Sequence, residues 1–132
     1  MILCIGIGVT IFYKLEDSSK MKEEIYNYIN NFGEQTQERF KILYDLIYQD
    51  STLVIDEKLW AKLPSFSVGN NVVRLIPFND HINVNAKSVV LHKDELSEYK
   101  ITPKGMLQIF HNQEIPIKQL RIIFEESLKS LG

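Results

Sequence analysis

Residues 66 to 86 constrain the fold more than any other part of the chain, because their pattern suits strands and little else. Ser65 to Val68 alternates polar and apolar, the mark of a half-buried strand. Gly69-Asn70-Asn71 follows, and both residue types accept the positive φ of a tight hairpin. Val72 to Ile76 is rich in β-branched and apolar residues, as expected of a strand partly covered on both faces. Pro77 cannot donate to a ladder, so it ends that strand or marks an edge. Asn79-Asp80 reads as a second turn, after which Ile82 and Val84 alternate with Asn83 and Asn85. The expectation is an antiparallel meander over residues 65–86.

The segments around it read as helical. Lys14 to Tyr48 holds no proline; Met21, Ile25, Ile29 and Phe32, then Phe40, Leu43 and Ile47, keep helical spacing, with Thr36 at the skipped position. This predicts one long amphipathic helix over 14–50, or two helices parted at Asn30–Gly33, where Asn and Gly suit a C-terminal cap. Lys22, Glu23, Glu24, Glu34, Glu38 and Lys41 form its solvated face, and Tyr26, Tyr28, Tyr44 and Tyr48 read as packing residues with hydroxyls in water. Thr52 to Ile55 fits a short strand or a buried turn of helix; Asp56 to Leu63 reads as a short helix capped by Asp56. Trp60 is expected to be buried between the long helix and the sheet. Beyond Ala86 a helical tail is expected over 94–131: a turn at Asp94–Tyr99, a helix capped by Thr102-Pro103 carrying Met106, Leu107 and Phe110, and a last helix after Pro116. Ile117, Leu120, Phe124, Leu128 and Leu131 make its apolar stripe, ended by Gly132.

The chain has 132 residues, 45% apolar and 24% charged, which suits one folded domain or a small domain plus an anchor. A net charge of −2 provides no electrostatic case for nucleic acid, and the single cysteine, Cys4, rules out an internal disulfide framework. Met1 to Tyr13 is uncharged and apolar. As a helix it would measure about 20 Å against a hydrocarbon core of roughly 30 Å. It reads either as the end of a longer membrane anchor or as a buried N-terminal element. The abrupt passage into Lys14–Lys20, with no turn residue between, favours the anchor.

Chemistry-bearing motifs are sparse. His81, His92 and His111 lack the spacing of a helical zinc site, and there is no phosphate loop and no nucleophile elbow. Asn79, Asp80, Asn83 and Asn85 bring oxygen-bearing side chains together, and calcium is the cofactor such a set would take. Only one of the four is a carboxylate, and turn and surface asparagines explain them more simply, so no cofactor is expected. The same four residues are the candidate partner-binding residues. Ile82 and Val84 should pack on Phe40, Leu43 and Ile47, leaving the asparagine face to solvent or a partner subunit. No convergent catalytic set can be named, so the chain is not expected to be an enzyme.

The layout of apolar start, long helix, small meander and helical tail resembles type IV pilin-like proteins, especially the K-type minor pseudopilins of type II secretion systems. The residues that carry the likeness are Trp60-Ala61-Lys62-Leu63-Pro64, Val72-Val73-Arg74-Leu75 and Asn79-Asp80-His81-Ile82-Asn83-Val84-Asn85. The last matches a D-x-x-I-N-L-N segment with one residue fewer between Asp and Ile. The region after Ala86 is shorter than that family's helical insert, and its calcium ligands have no counterpart here. The resemblance implies an α+β head on an N-terminal anchor: a remnant of the anchor at 1–13, the long helix at 14–50 and the head at 51–132. It implies a structural subunit of a bacterial secretion or DNA-uptake apparatus. Such a subunit sits in the inner membrane through a single-pass helix, keeps its head in the periplasm and contacts other pilin-like subunits. The alternative is a small α+β interaction module of a phage or plasmid system.

Overall fold

A computed structural model describes residues 21–129. The fold is α+β, built on one antiparallel six-stranded sheet with strand order β1-β2-β3-β4-β6-β5. The strands are β1 (Asp56–Trp60), β2 (Leu63–Val68), β3 (Asn71–Pro77), β4 (His81–Asn85), β5 (Lys100–Ile101) and β6 (Leu107–Phe110). The expected meander is β2-β3-β4, with its turns at Gly69-Asn70 and Phe78–Asp80. Gly69 takes the positive φ that this hairpin needs.

Among the described residues three α-helices accompany the sheet: α1 (Glu23–Ile29), α2 (Glu34–Ile47) and α3 (Ile117–Lys129). Over residues 21–50 the structure takes the second of the two expected forms, two helices parted at Asn30–Gly33, and not the single long helix. The apolar stripe does not stop there; the surface it meets changes. Helix α1 lies against edge strand β1, whereas α2 crosses β3 and β4 and packs on α3. Helix α3 also lies on β3 and β2, so both long helices cover the same face of the sheet. The core between them holds Phe40, Leu43 and Ile47 from α2 and Leu120, Ile123, Phe124 and Leu128 from α3. The sheet contributes Phe66, Val73, Leu75, Ile82, Val84, Leu107 and Ile109. Ile82 and Val84 thus face the helices as the alternation requires, although Ile117, expected in the α3 stripe, is exposed. Residues 1–20 and 130–132, including the apolar stretch 1–13 and Leu131, lie outside the described residues.

Two expected helices are hairpins instead. Asp56–Trp60 is a strand in which Glu57 and Leu59 turn inward while Asp56, Lys58 and Trp60 turn out. Residues 59, 60 and 63 share helical spacing, but the two-residue alternation of 57 and 59 is what the adjacent strand β2 selects. The β1–β2 turn is made by Ala61 and Lys62, with φ of 52° and 67°. Both residues occupy the left-handed region that a type I′ turn demands and that side chains disfavour. Replacing the pair by Asn-Gly is expected to raise stability by about 1 kcal/mol, read from urea melts. Likewise Thr102-Pro103 opens a turn in which Gly105 has a φ of 87°, and Leu107 and Ile109 face the core from β6. Residues 106, 107 and 110 satisfy a helix period and 107 and 109 a strand period, and pairing with β4 decides between them. Between β4 and β5 runs a 3-10 segment, Val89–Leu96. Thr52–Ile55 is neither strand nor buried turn, and Val54 is 89% exposed.

Candidate functional site

Both long helices lie on one side of the sheet, and among the described residues no helix packs on the other, the open face. Register places its side chains in rows. Lys58, Ser65, Arg74 and Asn85 form one row; Trp60, Leu63, Ile76, Asn83, Gln108 and Lys100 form the next; His81 stands opposite Phe110. Trp60 is 54% exposed, not buried, and the Arg74 guanidinium lies 4.4 Å from its ring centroid. Trp60→Ala is accordingly expected to cost less than about 1 kcal/mol instead of the several that a core tryptophan would, with parent emission already that of a wet indole.

The four candidate partner-binding residues divide into two pairs. Asn79 and Asp80 are exposed in the β3–β4 turn, while Asn83 and Asn85 stand on the open face of β4. Asn83 is 7% exposed, stands between its cross-strand partners Ile76 and Gln108, and its Oδ1 has no hydrogen-bond partner among the described residues. The expectation of a solvent-facing Asn83 is thus corrected: it points away from the two long helices and is nevertheless buried. Asn85 is half-buried and remains accessible.

At the end of the same face an aromatic stack forms around His81. Its ring lies 4.4 Å from Phe78 and 4.8 Å from Phe110, and its Nδ1 is 2.7 Å from Asp80 Oδ1. The hydrogen bond to His81 lowers the Asp80 pKa. Behind the stack, Gln35, Asp80, Phe110, His111 and Asn112 line a cleft of about 360 Å³. His111 Nε2 is 2.8 Å from Thr36 Oγ1, whose hydroxyl donates to the Phe78 carbonyl at 3.0 Å. The threonine therefore accepts from His111, which leaves Nδ1 as a bare, buried acceptor without a partner among the described residues. Burial lowers the His111 pKa, in keeping with a neutral ring. In this tautomer the imidazole cannot draw a proton from Thr36, so the pair fastens α2 to the β3–β4 turn and does not activate a nucleophile.

Two further polar clusters lie on the helix side. Glu57, on β1, accepts from the hydroxyls of Tyr44 and Tyr48, which are therefore bonded and not in water. The second links the 3-10 segment to α3. His92 places Nε2 2.8 Å from Glu126 Oε1 and Nδ1 2.9 Å from Glu95 Oε1, and the Ser88 hydroxyl also donates to Glu126. Ionised carboxylates only accept, so one imidazole can serve both only as the imidazolium. The His92 pKa is raised, first by Glu126 and then by Glu95; that of Glu126 is lowered, first by Ser88 and then by His92. A raised histidine contributes stability in full below its unfolded value of about 6.5 and loses it as pH rises through the folded value. The stability difference between the parent and His92→Gln should therefore be larger near pH 5.5 than near pH 8.5 in urea melts. An unchanged difference would mean that the ring is not charged. The effect should be modest, because both carboxylates meet water.

No family model, curated protein or solved structure matches this chain. Among the described residues no helix is long and apolar enough to cross a membrane.

Sequence reasoning missed the Trp60–Arg74 stack, because residues 14 apart become neighbours only through the β1–β2–β3 register. No alternation of polar and apolar residues signals it, because the inward set of Asp56–Trp60 is Glu57 and Leu59 and the outward set includes Trp60. The Glu57 and His92 clusters join helix to strand and helix to 3-10 segment, and carry no local motif.

Proposed function

We propose that this chain is a binding protein, not an enzyme, and that it meets a partner polypeptide through the open face of its sheet. The observation that carries this reading is an exposed tryptophan stacked on an arginine, with amide side chains beside them, on the sheet face that no described helix covers. Tryptophan and arginine are the residues that most often dominate protein interfaces. The histidine arrangements argue for structure over catalysis, since each described histidine is engaged with a carboxylate or with a hydroxyl that already donates elsewhere. A photo-crosslinking residue at Ser67 or Asn85, on the open face, should trap a discrete partner in the native cells, and one at Glu38, on the helix side, should not. Adducts from Glu38 alone would overturn the reading.

A narrower form of the proposal is a minor pseudopilin-like subunit, anchored in the bacterial inner membrane by residues 1–13 and meeting other pilin-like subunits through a periplasmic head. Its support is the apolar stretch, the segment Asn79–Asn85, and a helix packed on one face of an antiparallel meander. The break at Asn30–Gly33 and the extra strands β5 and β6 depart from that layout, which is why the broader reading stands first. Membrane partitioning separates the two: the full chain should need detergent if residues 1–13 anchor it, and a chain starting near Ser19 should not.

A further inference from the structure

We propose that the Arg74 guanidinium is a receptor for a carboxylate of an acidic polypeptide partner. This deepens the reading above and rests on it. Arg74 lies within the open face, flanked by Ser65 on β2 and Asn85 on β4. Its carbon Cζ sits 4.4 Å from the centroid of the Trp60 ring. Among the described residues it enters no ion pair, and its Nε–H is buried without an acceptor. Of the acidic groups on β1 and in the β3–β4 turn, Asp56 is paired with Lys58 at 3.5 Å and Asp80 with His81 at 2.7 Å.

A guanidinium is a planar fork of five donors. Stacking on an indole holds that plane while leaving its edge free, so part of the ordering cost of binding is met before the partner arrives. The group that matches a planar fork with two parallel bonds is a carboxylate. The surroundings suit a polypeptide that carries one. Asn85 and Gln108 can pair with peptide groups, Trp60 offers apolar area, and Lys100 adds a second cation in the next row. A phosphate would fit the fork as well, but a nucleic-acid strand needs a run of cations along its backbone. Here Lys58 is already paired with Asp56, and the whole chain is net negative.

Trp60 is the only tryptophan, so its emission reports directly on its stacked neighbour. Titrating the full chain with decaglutamate should change that emission saturably, and decalysine should not. Arg74→Gln should weaken the response at least tenfold. Arg74→Lys keeps the charge without the fork and should weaken it at least threefold, which preserves the test if the glutamine variant folds poorly. An emission that does not respond to decaglutamate, or either variant binding as well as the parent, would overturn the receptor. Tighter binding of oligothymidylate than of decaglutamate would also overturn it, in favour of a phosphate ligand. Open-face crosslinks that persist when decaglutamate fails would show that the surface binds but that Arg74 is not its anion receptor.

Discussion

Val84→Asp is expected to destabilise the fold by about 4 kcal/mol or more, enough to unfold a marginal domain of this size. Val84 is 0% exposed at the middle of the sheet, opposite Leu75 on one side and Leu107 on the other. Its side chain lies on the face that α2 and α3 cover, so an aspartate there would be a charge without a partner in an apolar layer. Val84→Ala, which removes apolar atoms and adds no charge, should cost about 2 kcal/mol. The neighbouring Asn85→Asp on the open face should stay within about 0.5 kcal/mol. Asn83→Asp falls between the two, at about 1–3 kcal/mol, because Asn83 is buried although it is on the open face. Urea melts of the four variants order them, and a Val84→Asp chain that melts like the parent would place Val84 on the other face.

Glu57→Ala should cost about 3 kcal/mol, a large effect for a polar residue on an edge strand. Glu57 is 3% exposed and meets three donors: the Tyr44 hydroxyl at 2.7 Å, the Tyr48 hydroxyl at 2.6 Å and the Lys22 amide at 2.8 Å. These are charge-assisted bonds, and removing the acceptor strips all three donors of it at once. Tyr44 and Tyr48 stack at 4.8 Å and both turn edges towards Phe66, so the cluster ties α2 and the chain leading into α1 to strand β1. Burial first, and then the carboxylate, raise both tyrosine pKa values, so the phenols remain donors across the range in which the protein is handled. Glu57→Gln should cost less, about 1–2 kcal/mol. Its carbonyl still accepts from the tyrosines, while its amide group opposes the Lys22 N–H. A double-mutant cycle with Tyr44→Phe should show a coupling of about 1 kcal/mol. If Glu57→Ala and the parent unfold at the same denaturant concentration, the cluster carries no stability.

Residues 65–86 announced themselves because turn residues, β-branched runs and alternation agree within a few positions, and the α3 stripe was legible for the same reason. Asp56–Leu63 and Thr102–Phe110 were misread as helices. In Thr102–Phe110 the apolar residues fit periods of two and of 3.6 together, while in Asp56–Trp60 the inward pair Glu57 and Leu59 follows no apolar period, and in both the neighbouring strand decides. Asn and Gly at 30–33 mark the break between α1 and α2 in the sequence, whereas the surfaces the two helices meet, β1 for α1 and β3, β4 and α3 for α2, are set by the tertiary structure.

By itself the sequence determined the α+β class, the three-strand meander with its two turns, the inward set Ile82 and Val84, and the apolar stripes of the helices. All of these follow from periodicity and turn chemistry within a few residues. Tertiary structure alone decided that the described residues build a six-stranded sheet with both long helices on one face. It exposed Trp60 and set it on Arg74, buried Asn83, and assembled Glu57 with two tyrosines and His92 with two glutamates. Those outcomes depend on pairing between residues far apart in the chain, where the energy of a contact is set by register and by which face the helices choose, and no short window of sequence contains either.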